Sequence, residues 1–326
     1  MPWLWHSVDI SGSNGLPTWV SWWLKTPFPT LAQTLELRLT GPDIDDPSTA
    51  LETGALRGFG ARFETLGMIK QVFDATTNLS TCAVIEDQSP SIFLNEHTGI
   101  FFSALGSCSS LKKLILIGNE EFNAPSDELF LLLAFNHQLE EFEERFSEGV
   151  GLGTLLSFCE WKLKSLRTVT DTKALRRFFE VILPMKRSLI TLGVTYFDDD
   201  LVESFDLFLG FLSQFKLLEC LCLDFELSPQ CDGLYPEHLQ SLLKAVPSLK
   251  RLEYTVSWDV YFDLPTPKEL RKSNPPYWTE VSTTLMNLAG TVSKNKEQVL
   301  AFLEIMKGLH KVCEENHVEL DLRWGF

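Results

Sequence analysis

Pro236-Glu-His-Leu239-Gln-Ser-Leu242-Leu243-Lys-Ala-Val246-Pro247-Ser-Leu249-Lys-Arg-Leu252-Glu-Tyr254-Thr-Val-Ser257 is one complete structural phrase. Leu239, Leu242, Leu243 and Val246 fall at i, i+3, i+4 and i+7, which lays a single apolar stripe along a helix. Pro236 suits the first turn of that helix, where its missing N–H leaves nothing unsatisfied. Pro247 stops it, because the residue before a proline is pushed out of the helical region. Leu249 then leads into a strand in which Leu252 and Tyr254 alternate inward, while Arg251, Glu253 and Thr255 point outward. The phrase reads helix, short turn, strand. Neither element can bury its apolar face alone, so a neighbouring copy has to cover it.

The copies are present. Leu218-Glu-Cys-Leu221-Cys-Leu223, Leu111-Lys-Lys-Leu114-Ile-Leu116 and Leu189-Ile-Thr-Leu192-Gly-Val194 repeat the spacing, with weaker versions at Leu79/Cys82/Val84, Leu139/Phe142 and Leu163/Leu166/Thr168. First anchors at 79, 111, 139, 163, 189, 218 and 249 lie 24 to 32 residues apart, close to the period of leucine-rich repeats. Helical stripes precede the strands: Phe205, Phe208, Leu209 and Leu212 within Ser204–Phe215, and Phe63, Leu66, Ile69, Val72 and Phe73 within Arg62–Phe73. Thr98–Leu105 and Asp127–Phe135 occupy the same place in their units. The expected fold class is therefore α/β: a leucine-rich-repeat solenoid, a horseshoe with parallel concave strands and convex helices.

A repeat array absorbs 326 residues as one body, so the expectation is a single domain over 1–326. It divides into an N-terminal cap region (1–57), regular repeats (58–257), an irregular insertion (258–294) and a C-terminal cap helix and strand (295–326). The insertion, Trp258–Lys294, carries Pro265, Pro267, Pro275 and Pro276, too many breakers for regular repeats. The closing helix, Glu297–Glu315, puts Val299, Phe302, Leu303, Met306, Leu309 and Cys313 on one side, and the strand Val318–Trp324 turns Leu320 and Leu322 inward.

Composition narrows function. A hydrophobic fraction of 44% is ample for a continuous core. The formal net charge of −16 argues against nucleic acid and against an anionic membrane surface. A local basic stretch (Lys162, Lys164, Arg167, Lys173, Arg176, Arg177, Lys186, Arg187) reads as a solvated face or a docking patch for an acidic partner. The start Met1-Pro-Trp-Leu-Trp has neither the basic region nor the apolar core of a signal peptide. Runs such as Phe130–Phe135 fall far short of the roughly 20 residues that span a bilayer. Seven scattered cysteines without a secretory signal suggest reduced thiols in cytoplasm or nucleus.

If the register holds, the outward strand residues line the concave surface. The candidate partner-binding set is Ile85, Lys113, Ile115, Ile117, Glu141, Glu143, Arg167, Cys220, Cys222, Asp224, Arg251 and Glu253. Ile85, Ile115 and Ile117 form an apolar spot rimmed by charge, a composition suited to binding protein. Ala83, Gly193, Glu319 and Asp321 share the outward alternation.

Other clusters read as structural. Glu140, Glu141, Glu143 and Glu144, Asp198–Asp200, and Asp43, Asp45 and Asp46 lack calcium-loop spacing and are expected on solvated surface. His310, Cys313 and His317 approach metal-ligand spacing, but Cys313 shares the core stripe with Met306 and Leu309. Cys220 and Cys222 lie on one face of one strand, with Cα atoms roughly 6.5–7 Å apart, at the upper limit for a disulfide. They are expected to be exposed thiols, neither bridged nor ligating. Nucleophile elbows, P-loops and dinucleotide fingerprints are absent, and Gly151-Leu-Gly153 is only a loop fragment. The expectation is no enzyme, no catalytic or metal-ligating residue and no cofactor.

The amino-terminal stretch Pro2-Trp3-Leu4-Trp5-His6-Ser7-Val8-Asp9-Ile10, then Val20-Ser-Trp22-Trp23-Leu24, then Thr34-Leu35-Glu36-Leu37-Arg38-Leu39, reads as strand, aromatic-rich helix and strand. Together with the repeats and the closing Leu309-His-Lys-Val-Cys313-Glu-Glu-Asn-His-Val318-Glu-Leu320, it resembles fungal F-box/leucine-rich-repeat proteins over nearly the whole chain. The resemblance implies the substrate-recognition half of a ubiquitin-ligase receptor. In that family a helical F-box motif, which docks the Skp adaptor, precedes the tryptophan-rich segment. Here Met1 falls directly before that segment, so a Skp adaptor is an expected partner only if an F-box exists upstream. The alternative is a stand-alone leucine-rich-repeat interaction scaffold with no ligase link.

Overall fold

The computed structural model describes residues 8–11, 16–40, 67–86, 105–106, 108, 110–117, 138–145, 162–170, 172–196, 201–225, 234–257 and 296–325. Within them the strands are β1 (Val8–Ser11), β2 (Thr34–Thr40), β3 (Thr81–Glu86), β4 (Lys113–Ile117), β5 (Glu141–Arg145), β6 (Ser165–Thr170), β7 (Thr191–Tyr196), β8 (Cys220–Phe225), β9 (Arg251–Ser257) and β10 (Glu319–Gly325). The helices are α1 (Leu16–Leu24), α2 (Phe28–Leu31), α3 (67–75), α4 (Thr172–Ile182), α5 (Leu201–Leu212), α6 (Pro236–Ala245) and α7 (Lys296–Glu315). The expectations for Thr98–Leu105 and Asp127–Phe135, for the Trp258–Lys294 insertion, for the aspartates at 43, 45, 46 and 198–200, and for Gly151–Gly153 fall wholly or mainly outside these residues.

The chain forms two compact units, Met1–Ser165 and Leu166–Phe326. In the first, strands follow chain order from β1 to β5, and each neighbouring pair is parallel. In the second, β7 to β10 do the same. Parallel neighbours in chain order, each preceded by a helix where the helix is described, are the coil of an α/β leucine-rich-repeat solenoid.

Register aligns the anchors. Leu192, Leu221, Leu252 and Leu320 are partners across β7–β10, and Cys82, Leu114 and Phe142 across β3–β5. Leu114, Leu192, Leu221 and Leu252 are fully buried. Each is worth roughly 1.5–3 kcal/mol of apolar burial. Leu320 and Leu322 are only half-buried, less enclosed than the alternation implies.

A second ladder runs just ahead of the strands. The carbonyl of Gln33 accepts from Ser80 and Thr81 N–H, that of Ser80 from Lys112 and Lys113, that of Lys112 from Glu140 and Glu141, and that of Glu140 from Lys164 and Ser165. In the second unit the series Ile190, Glu219, Lys250, Glu319 repeats it. Each repeat thus closes the backbone of the one before it, as buried polar groups require. Serine hydroxyls reinforce the step: Ser110 Oγ donates to Leu79 O at 2.9 Å, and Ser248 Oγ to Leu218 O at 2.8 Å.

Helices supply the other layer. In α6, Leu239, Leu242 and Leu243 are buried, Pro236 occupies the first turn, and Val246 ends the helix outside helical geometry. Tyr254 is fully buried, and its hydroxyl accepts the Leu234 N–H at 3.2 Å. Phe179 of α4 stacks on Phe211 of α5 at 5.0 Å and meets the Phe208 ring edge-on at 5.6 Å. At the amino end Trp23 is fully buried and stacks with Trp19 at 5.2 Å.

One expectation is corrected. Glu144 is buried, not solvated. It is register partner to Leu116, while Phe142 is partner to Leu114, so Phe142 and Glu144 share the core side of β5. A run of four glutamates in five residues hides that alternation in the sequence.

Candidate functional site

The outward face of the first unit is a grid set by register. One row is Thr81, Lys113 and Glu141, the next Ala83, Ile115 and Glu143, and Ile85 pairs with Ile117 beyond them. Lys113 and Glu141 join through a 2.7 Å ion pair and remain substantially exposed. Ile85, Ile115 and Ile117 are half-buried. The three isoleucines therefore do come together beside Lys113, Glu141 and Glu143, as the alternation implies. Ala83 is buried, since its short side chain does not reach past its neighbours.

The second unit carries a denser cluster. Gly193, Cys222, Glu253 and Asp321 are register partners along one row, and Thr191, Cys220, Arg251 and Glu319 along the next. Glu253 sits at the centre and is only 7% exposed. Arg167 donates to its Oε2 at 2.9 Å, the Cys222 thiol donates to the same oxygen at 3.2 Å, and Arg251 Nε lies 3.3 Å from Oε1. Cys220 Sγ stands 3.9 Å from Cys222 Sγ and 4.0 Å from Glu253 Oε1. Arg251 is further tied to Asp321 at 2.5 Å and to Glu319 at 3.6 Å.

Two expectations change here. Cys222 is buried rather than exposed, with Cys220 partly so, and Glu253 is too enclosed to be a broad contact residue. The cause is side-chain length. Arg167 and Arg251 lie over the row and close it, which alternation alone does not register. Of the predicted set, Arg167, Cys220, Cys222, Arg251 and Glu253 are brought into one constellation. Asp224 lies further along β8, level with Thr195 and Thr255.

The paired thiols differ in acidity. The hydrogen bond shared with Cys222 lowers the Cys220 thiol below its ordinary range, helped by Arg167 and Arg251 against burial and Glu253. The same bond, together with burial, holds Cys222 protonated. Cys313 is buried in the α7 core, which pushes its thiol up to about 11. His310 is held below the usual imidazole range by desolvation. Among the described residues, the Cys, His and carboxylate ligand atoms that converge are those of Cys220, Cys222 and Glu253, all within 4.8 Å.

Sequence reading undervalued Gly193 and Asp321. The signal that finds them is the repeat itself: Gly193, Cys222, Glu253 and Asp321 each follow the second anchor of their unit by one residue.

No family model matches the chain, and no curated protein matches it. Among solved structures, the leucine-rich repeat-containing protein LegL7 from Legionella pneumophila is similar with a TM-score of 0.41 and 15% identity, over 77% of this chain and 83% of that one. The "N-terminal domain of a putative aldolase" from Bacteroides vulgatus is similar with a TM-score of 0.26 and 13% identity, over 80% and 83%. No described helix is long and apolar enough to cross a membrane.

Proposed function

We propose that this chain is a protein-recognition solenoid acting as the substrate-binding half of an F-box ubiquitin-ligase receptor in the cytoplasm or nucleus. The observation that supports recognition is the outward grid of the first unit. There, half-exposed Ile85, Ile115 and Ile117 lie beside Lys113, Glu141 and Glu143. A small apolar patch rimmed by fixed charges suits a protein surface better than a small molecule or a nucleic acid. The F-box part rests on the amino-terminal tryptophan-rich segment and the closing helix and strand, which resemble that family.

The test uses the protein isolated from its native cell. Its amino terminus is sequenced, and the Skp adaptor is sought in the purified material. A receptor yields a helical extension ahead of Met1 and stoichiometric adaptor, and a protein that accumulates when the chain is depleted binds less well to Glu141→Lys/Glu143→Lys. A native start at Met1 with no adaptor overturns the ligase reading and leaves the stand-alone scaffold. Unaltered affinity in the double variant removes the site from the middle of this face.

A further inference from the structure

We propose that Cys220, Cys222 and Glu253 form a binding site for a thiophilic divalent metal ion of the zinc type. Spacing alone argues against ligation here, because no CxxC or HExxH is present. The third ligand comes instead from the neighbouring strand, where register sets Glu253 opposite Cys222.

The distances suit tetrahedral coordination. Two sulfurs bound to zinc at about 2.3 Å stand about 3.8 Å apart at a tetrahedral angle, and here they are 3.9 Å apart. A sulfur and a carboxylate oxygen on the same ion stand about 3.5 Å apart. Cys222 Sγ is 3.2 Å from Glu253 Oε2 and Cys220 Sγ 4.0 Å from the other oxygen, Oε1, and one ligand atom from each of the three residues lies within 4.8 Å of the others. A disulfide requires the sulfurs to close to about 2.05 Å. The extended strand, which spaces alternate residues at the limit of disulfide reach, resists that closure. The geometry therefore favours a shared ion over a bridge.

Charge also balances. Binding one M²⁺ displaces the two thiol protons to solvent, so two thiolates and one carboxylate surround two positive charges and leave a net −1. The Arg167 guanidinium, 2.9 Å from Glu253 Oε2, neutralises it. Arg251, which also lies 3.3 Å from Glu253 Oε1, is balanced by its ion pairs to Asp321 and Glu319. Arg167 cannot coordinate a metal, but it holds the carboxylate in place, and such partners matter to metal affinity. Two sulfurs and one oxygen select zinc, cadmium or cobalt(II) over magnesium or calcium. Three protein ligands leave a fourth position for water.

The test is a cobalt(II) titration of the full chain, prepared reduced and metal-free under anaerobic conditions, followed by zinc competition. The expected result is one cobalt per chain, with tetrahedral visible bands and thiolate-to-cobalt charge transfer in the near ultraviolet, bleached by equimolar zinc. Cys220→Ser should weaken binding more than about tenfold and halve the charge transfer, and Glu253→Gln should weaken it about 10–100-fold while keeping both thiolates. Cys313→Ser should leave the spectrum unchanged. Cys220 is half-exposed, so its serine variant tests the site even if Cys222→Ser fails to fold; circular dichroism confirms that it is folded. Absence of charge transfer overturns the proposal, as does its full retention in folded Cys220→Ser. Recovery of a Cys220–Cys222 disulfide from thiol-blocked native cells also overturns it.

Discussion

Gly193 lies directly beneath the Arg167 side chain: a Cβ on the glycine would stand 2.6 Å from Arg167 Cγ and 3.1 Å from its Cβ. The missing side chain is what lets Arg167 extend to Glu253, whose carboxylate is otherwise buried. Gly193→Ala must swing Arg167 away and uncouple the pair. Breaking a buried pair from one side is costly, and the remaining Cys222 and Arg251 contacts soften the loss to roughly 1–3 kcal/mol. Relief of glycine's backbone entropy works in the opposite direction by about 0.5–1 kcal/mol. Denaturant unfolding of Gly193→Ala, Arg167→Ala and the double variant should therefore show a coupling above about 0.5 kcal/mol. Equal effects of the glycine substitution with and without Arg167 would remove the link.

The two thiols of β8 should react unequally in the metal-free chain. Cys220 is the more acidic member, its thiol lowered by the hydrogen bond it shares with Cys222. Cys82 is raised well above the ordinary thiol by burial, and Cys313 to about 11 by the same cause. The thiolate is the nucleophile, so Cys220 should be the first of these to take up iodoacetamide, with a pH–rate midpoint below the usual ~8.5. Cys222→Ala removes that hydrogen bond and should move the midpoint upward. Peptide mapping that finds Cys313 or Cys82 labelled first would contradict the assigned order.

His317 closes α7 in left-handed geometry, with φ of 57°. Val318 N–H bonds back to Cys313 O at 2.9 Å, the six-to-one link of a Schellman cap, whose favoured residue at the left-handed position is glycine. The His317 side chain is exposed, so removing it sacrifices no burial. His317→Gly should stabilise the chain by about 0.5–1 kcal/mol, because the steric cost of a Cβ in that conformation disappears. His317→Ala keeps the Cβ and should gain nothing. Equal melting temperatures for the two variants would show that the Cβ is not the strained group.

The repeat was legible because it is redundant. Leu114, Leu192, Leu221 and Leu252 each announce a strand, and the structure buries all of them completely. The helix of Pro236–Ala245 was equally legible, since Pro236, its leucine stripe and Pro247 are local signals. Glu144 was not, because its core-facing position depends on pairing with Leu116 rather than on its own neighbours. The cluster around Glu253 was legible only in part. Alternation placed Cys220, Cys222, Arg251 and Glu253 on one face. That Arg167 reaches Glu253 across the strands between them depends on a long side chain and on the gap at Gly193. Periodicity carries neither.

Helix α7 meets α6 at Gly308, where an added Cβ would lie 2.5 Å from Pro236 Cγ. Two effects compete in Gly308→Ala. Helix propensity favours alanine by about 0.8–1.0 kcal/mol in the interior of a helix. Overpacking against a neighbour typically costs about 1–3 kcal/mol. A proline ring cannot rotate out of the way as a long side chain can, and Pro236 is fixed in the first turn of its helix. The steric term should therefore win, and Gly308→Ala should lower stability by about 1 kcal/mol or more. Pairing it with Pro236→Ala opens the space and should turn the same substitution into a gain. Both variants can be read from urea unfolding midpoints, and a Gly308→Ala chain more stable than its parent would mean that α6 and α7 do not pack at this contact.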